Sequence, residues 1–197
     1  MSLDKSAADF IKQFEGFTPT AMWDVNAYRI GHGSDTLELP NGTYRKVVQG
    51  DTTTRELAAK DLARRISTEF IPRVKNQVGA EAWDRLPEPS QVALLSLAYN
   101  YGSITKKAIL DAAKEGNVIK LAKAIVDSTY NDNAKLPTNV RNALRSRRAK
   151  EAEYALTDLG GSKKKTFVII GGILLLVAVI GIFTYRKNIM NFIDKKI

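Results

Sequence analysis

Two carboxylic acids with eight residues between them, Glu15 and Asp24, lie in the stretch FEGFTPTAMWDVNAYRIGHG, residues 14–33. Gly16 follows the first acid at once, and the stretch closes on His32 between Gly31 and Gly33. Leu3, Ala7, Phe10, Ile11 and Phe14 recur at helical spacing ahead of Gly16, so a helix is expected over Leu3–Phe14 with Glu15 in its last turn. Unpaired carbonyls at such an end disfavour a negative charge, and a carboxyl that keeps its proton is a candidate general acid. Asp24 is the second acid, with a turn-capping role as its rival reading.

Composition limits the other chemistries. The chain has 197 residues, 44% of them hydrophobic, which suits one ordinary core and no second domain of normal size. It has no cysteine, hence no disulfide framework and no thiolate site, and its single histidine, His32, would need mostly carboxylate partners to hold zinc. No metal and no cofactor are expected. The net charge of +9 is uneven: residues 1–162 carry 23 Lys and Arg against 20 Asp and Glu, and residues 163–197 carry 7 against 1. The body is only mildly basic and has neither a Gly-rich phosphate loop nor interleaved aromatic and basic residues, so nucleic acid is not an expected partner.

The elements that must position the acids are mostly helices. AYRI and DTLEL-PNG-TYRKVV read as short strands, with Pro40-Asn41-Gly42 as a hairpin turn. DTTTRELAAKDLARRISTEFIPRV reads as one helix with Thr cap candidates. SQVALLSLAYNYGS is apolar almost all round and is expected to be the central buried helix, closed by Gly102. KKAILDAAKEGN, VIKLAKAIVDSTYN and TNVRNALRSRRAKEAEYAL complete the body, the last preceded by Pro137. The fold class is therefore α+β, mainly α, with one small β-hairpin patch beside the acids.

Residues 166–185, TFVIIGGILLLVAVIGIFTY, contain no charge and match the roughly 30 Å of a bilayer core at 1.5 Å per residue. Lys163 to Lys165 precede this stretch; Arg186, Lys187, Lys195 and Lys196 follow it, a difference too small for the positive-inside rule to set the orientation. The N-terminal MSLDKSAADFIKQFEG has no apolar signal-peptide core. The expected organisation is a body over 1–156, a linker over 157–165, a transmembrane helix over 166–185 and a short basic tail over 186–197. A lipid bilayer is thus an expected partner, and a single-pass membrane location with a C-terminal anchor is the expected localisation. Oligomeric state is left open.

The body resembles the phage-type lysozymes of glycoside hydrolase family 24. FEG followed by eight residues and Asp is similar to their Glu-x8-Asp element, and AYRIGHG to their YTIGYGH strand and turn. TTTRELAAKDLARRI, PSQVALLSLAYNYGS and LPTNVRNALRSRRAKEAEYAL are similar, in order, to three further family segments, over roughly residues 5 to 156. The resemblance implies a lysozyme-like fold and cleavage of the β-1,4 bond between N-acetylmuramic acid and N-acetylglucosamine in peptidoglycan, with Glu15 as proton donor. Asp24 would activate water or steady the oxocarbenium-like centre. Arg147 and Arg148 match the family's arginine pair, and one of them is expected to reach Glu15, against the rival reading of a solvated basic face. His32 takes the place of a turn tyrosine in a structural or substrate-lining role. Asn100 and Tyr101 are candidates for the sugar groove, with packing and capping as the alternative; Trp23 would stack on a sugar or be buried.

One position departs from the family. Arg29 stands where the family carries the threonine that helps hold the attacking water, and its spacer from Asp24 is one residue short. Ser34 and Thr36 are the candidates to replace that hydroxyl. Without a held water, the C6 hydroxyl of the muramic sugar attacks instead, giving the 1,6-anhydro product of a lytic transglycosylase. The expected protein is a membrane-anchored phage muramidase, in a virion membrane for entry or at the host inner membrane for lysis. The alternatives are a transglycosylase and a catalytically silent membrane-anchored structural protein.

Overall fold

The computed structural model describes residues 1–129 and 136–159. Helix α1, Leu3–Ile11, buries Ala7, Ala8, Phe10 and Ile11 as its apolar spacing requires. It stops three residues short of the expected Phe14. The amides of Gln13 and Phe14 bond back to the Phe10 and Ile11 carbonyls at 3.3 and 2.9 Å, the tighter spacing of a closing turn. Glu15 donates its own amide to the Ile11 carbonyl at 3.2 Å and lies past the helix rather than in its last turn. The chain leaves the helix here because it must enter an extended strand three residues later.

That strand, β1 (Thr18–Asp24), pairs antiparallel with β2 (Ala27–Gly31), placing Met22 opposite Arg29, Trp23 opposite Tyr28 and Asp24 opposite Ala27. A second pair, β3 (Thr36–Glu38) and β4 (Tyr44–Lys46), is joined through the Pro40-Asn41-Gly42 turn that the sequence predicts. Gly42 takes φ 78°, and the Asn41 side chain accepts from the Thr43 amide at 3.1 Å. Ala21, Ile30 and Val47 form the small core of this β region, with Tyr28 and Leu37 against it.

The helical part surrounds one buried rod. Helix α2, Arg55–Arg65, starts under a Thr54 cap that accepts from the Leu57 amide at 3.2 Å. Gly31 (φ 63°) lets β2 come so close to α2 that a Cβ there would stand 2.8 Å from the Ala58 Cβ. The expected single helix is interrupted by a π turn, Ile66–Phe70, before α3 (Ile71–Val78). Pro72 has no amide to donate to the previous turn, which accounts for the wider winding. Gly79 (φ 92°) then turns the chain into α4, Ala80–Arg85, an element the sequence reading lacks; it buries Trp83.

Helix α5, Glu88–Tyr101, is the expected central helix: Val92 to Ala98 are buried without a break, and Gly102 (φ 80°) closes it. It packs against α1, α3 and α8, the last being Thr138–Ala155 after Pro137. Helices α6 (Lys107–Lys114) and α7 (Val118–Asp127) lie between them in sequence, and the Asn117 side chain caps α7. Residues 1–155 form one compact unit, and a 3-10 turn, Thr157–Leu159, follows it. No helix among the described residues is long and apolar enough to cross a membrane. The expected span over 166–185 and the basic tail lie outside the described residues.

Candidate active site

The site forms where the exit of α1 meets the inner face of α8. Arg147 Nη1 donates to Glu15 Oε1 at 2.7 Å. Phe14, half-buried on the edge of Phe10, lies under the same guanidinium, 4.9 Å from its ring centre. Arg147 makes further bonds inward: Nε to Glu151 Oε1 at 3.1 Å, and Nη2 to the Ser96 carbonyl and hydroxyl at 3.2 and 3.3 Å. The planar fork suits this, since its donors diverge towards several acceptors without bending the side chain. Glu15 keeps 24% of its side chain exposed, and among the described residues only its Oε1 is bonded.

Behind this pair is a second arginine. Arg148 and Glu151 are both 0% exposed, with Arg148 Nη1 facing Glu151 Oε2 at 3.1 Å. Arg148 Nη2 donates to Asn100 Oδ1 at 2.8 Å, and the guanidinium lies 5.0 Å from the Tyr101 ring centre. Burial pushes the Arg148 guanidinium below its usual range and the Glu151 carboxyl above it, against the mutual attraction of the pair. Helical spacing explains the arrangement: Glu151 is four residues after Arg147 and three after Arg148, so all three project to the α5 side. The two arginines do not form a solvated face. Arg145, by contrast, is exposed.

The other acid has a different setting. Asp24 ends β1 at the tip of its hairpin, exposed, and makes no side-chain hydrogen bond or ion pair among the described residues. Val25 carries the turn at φ 52°, unusual for a β-branched residue. Trp23 is 63% exposed and meets Tyr28 edge-on at 5.2 Å, so the buried tryptophan of the chain is Trp83. Strand alternation and the register place Asp24, Met22 and Arg29 on the face opposite Trp23 and Tyr28. Arg29 stands 3.9 Å from Asp35 Oδ1, and Lys46 bonds the other Asp35 oxygen at 2.6 Å; that bond, with the two cations, holds the Asp35 carboxyl below its ordinary value.

The glycine-bracketed turn is pinned from three sides. His32 Nδ1 lies 2.9 Å from the Gly16 carbonyl; as a carbonyl only accepts, Nδ1 carries the proton. Tyr99 donates to the His32 carbonyl, and Arg65 bonds both the Tyr99 hydroxyl at 3.2 Å and the Gly33 carbonyl at 3.3 Å. Burial pushes the Tyr99 phenol up to about 12. Ser34 donates to the Thr36 carbonyl at 2.9 Å, and Thr36 Oγ1 accepts from Arg64 at 3.1 Å, so both hydroxyls serve the turn. His32, Ser34 and Thr36 also line a cavity of about 330 Å³ with Leu37, Leu57 and Tyr99, which neither acid reaches. Among the described residues no group of three or more His, Asp or Glu could hold a metal ion.

The structure thus brings Glu15, Arg147, Arg148 and Asn100 together with Tyr101 at the edge, and sets Asp24 and Arg29 on the hairpin. Sequence reasoning missed Ser96, Glu151, Tyr99 and Arg65. Ser96 had a signal, a polar residue inside an otherwise apolar helix; Glu151 had none apart from its spacing to the arginines.

A family model described as "Phage lysozyme" matches residues 12–151. The structure is similar to the crystal structure of a P22 lysozyme mutant, with a TM-score of 0.54 and 19% identity over 77% of this chain and 96% of that one. This likeness shows a common fold, mainly helical with small hairpins. No curated protein matches at a significant level.

Proposed function

The chain belongs to the phage lysozyme family, hence to the enzymes that cleave peptidoglycan, and from that premise we propose that Glu15 is its proton donor, acting on the β-1,4 bond between N-acetylmuramic acid and N-acetylglucosamine in the manner of glycoside hydrolase family 24. The observation that carries this is the Glu15–Arg147 contact at 2.7 Å, which fixes one carboxyl oxygen and leaves the other free. The free oxygen, protonated, gives its proton to the glycosidic oxygen as the bond to C1 breaks. Asp24 faces the developing positive charge from the hairpin. A water then adds its hydroxyl to C1, its remaining proton returning to Glu15. Asn100, Tyr101 and the His32 turn border the sugar, while Arg148 supports Asn100.

A second reading has its own observation. Arg29 brings a cation, not a hydroxyl, to the family threonine's place, and the Ser34 and Thr36 hydroxyls are engaged in their turn. If no group holds the water, the muramic C6 hydroxyl attacks C1 and gives its proton to Glu15, closing a 1,6-anhydro ring. Digesting purified Gram-negative peptidoglycan with the full-length chain, and reading the released muropeptides by mass spectrometry, decides between them. Reducing-end products are expected for the lysozyme. Products lighter by one water would replace it with the transglycosylase, and an active Glu15→Gln variant would remove Glu15 from the donor role.

Residues 1–156 are proposed as the wall-cleaving domain, 157–165 as linker, 166–185 as a membrane span and 186–197 as a basic tail, on the strength of the uncharged twenty-residue stretch alone. An enzyme anchored in a virion membrane would be carried to the next wall. Its absence from purified particles would move it to the host inner membrane, and its release by alkaline carbonate would remove the anchor.

A further inference from the structure

We propose that Glu151 is a positioning residue of the reaction: through Arg147 it orients Glu15, and by sharing the guanidinium's charge it sets where the basic limb of the pH–activity profile falls. This rests on the reading of Glu15 as proton donor. Arg147 bridges the two carboxylates, with Nη1 on Glu15 Oε1 at 2.7 Å and Nε on Glu151 Oε1 at 3.1 Å. Ser96 donates to the same Glu151 oxygen at 2.6 Å, and Arg148 Nη1 faces the other at 3.1 Å. The polar groups against Glu151 are thus donors from Ser96, Arg147 and Arg148, which favour the anion against the burial that pushes its carboxyl up, in a position with no access to water. An anion there has a reason beyond stability: it neutralises part of a cation that would otherwise act wholly on Glu15.

The sign follows. When Glu151 is charged, Arg147 divides its attraction. When that charge is removed, the whole guanidinium acts on Glu15, and the basic limb of the pH–activity profile moves down. Other charged and titratable groups lie near the network, and on α1 Lys12 is bonded to Asp9 at 2.7 Å. Lys150 is on the solvent side of α8, its ammonium 5.7 Å from the Phe14 ring. On α5, burial keeps the Tyr99 phenol up at about 12, and the Tyr101 ring lies 5.0 Å from the Arg148 guanidinium. His32 bonds the Gly16 carbonyl, and Arg65 is taken up by Tyr99 and the turn. Helix α7, packed on α8, buries only Val118, Leu121, Ala122 and Ile125.

The test is the pH dependence of kcat/KM on purified peptidoglycan for the full-length wild type, Glu151→Gln and Ser96→Ala, with melting curves and Glu15→Gln as control. Glu151→Gln is expected to move the basic limb of the profile down by about one pH unit, the size of a unit charge several ångströms away in a partly screened site. Ser96→Ala, which removes one bond from the Glu151 carboxylate, moves it the same way by less. A lower melting temperature with unmoved limbs in both variants would show a merely structural group and overturn the proposal. If Glu151→Gln does not fold, the Ser96→Ala limb decides alone. An active Glu15→Gln overturns the donor reading and this inference with it; an inactive one with unmoved limbs overturns only the role of Glu151.

Discussion

The two sides of the site are built on opposite plans. On the α8 side Arg147, Arg148 and Glu151 are buried, mutually bonded and tied to Ser96 and Asn100 of α5. On the hairpin side Asp24 is exposed and has no side-chain partner among the described residues, between Trp23 at 63% and Val25 at 89% exposure. The difference separates two requirements. A proton donor must be held in one place before substrate arrives, and rigid helices provide that. A carboxylate that meets a charge appearing only during bond breaking can stay solvated until the sugar covers it.

Substitutions can break this contrast. Arg147→Met should have the largest effect, leaving buried Glu151 without one of its two cations and Glu15 without a hold. A loss of about 3–5 kcal/mol in chemical denaturation is expected, together with most of the activity. A loss near zero would mean that the buried side is not a stabilised unit. Asp24→Asn should do the reverse: stability within about 0.5 kcal/mol of wild type, and turnover down by about a hundredfold or more. An unfolded Asp24→Asn protein would erase the distinction between the two sides.

The smallest expected effect sharpens the comparison within the β region itself. Asp51 is gripped by both Arg45 nitrogens, at 2.7 and 2.6 Å, and by the Val48 amide at 2.8 Å, and these contacts hold its carboxyl down to about 2. The unfolded chain takes up a proton near 3.9, so this contribution is complete above that value and is lost as pH falls from about 4 towards about 2. Melting temperature followed over that interval should slope less for Asp51→Asn than for wild type. Equal slopes would show that the loop after β4 adds nothing to acid stability.

What could be read in the sequence followed physical rules that act locally. Helix α5 has apolar residues on every side and a glycine to close it. The Pro40-Asn41-Gly42 turn and the Thr54 cap depend on residues within a few positions of each other. Strand β1 gave no alternation to read, because of its side chains only Ala21 is buried and the others face outward on both sides. The early end of α1 and the exposure of Trp23 in place of Trp83 were set by neighbouring elements, not by propensity, whereas the π turn before Pro72 had a local cause that helical periodicity does not show. Within the site, motif spacing pointed to Glu15 and to the arginine pair. Glu151 was illegible, since a glutamate in RRAKEAE reads as solvated until the arginines beside it turn inward.

The bond between Glu15 and Arg147 joins positions 132 residues apart in the chain. At a synthesis rate of about 5–20 residues per second, Glu15 leaves the ribosome on the order of ten seconds before its partner exists. The growing polypeptide is therefore without a working acid for most of its birth, and competence arrives late, with the final helix.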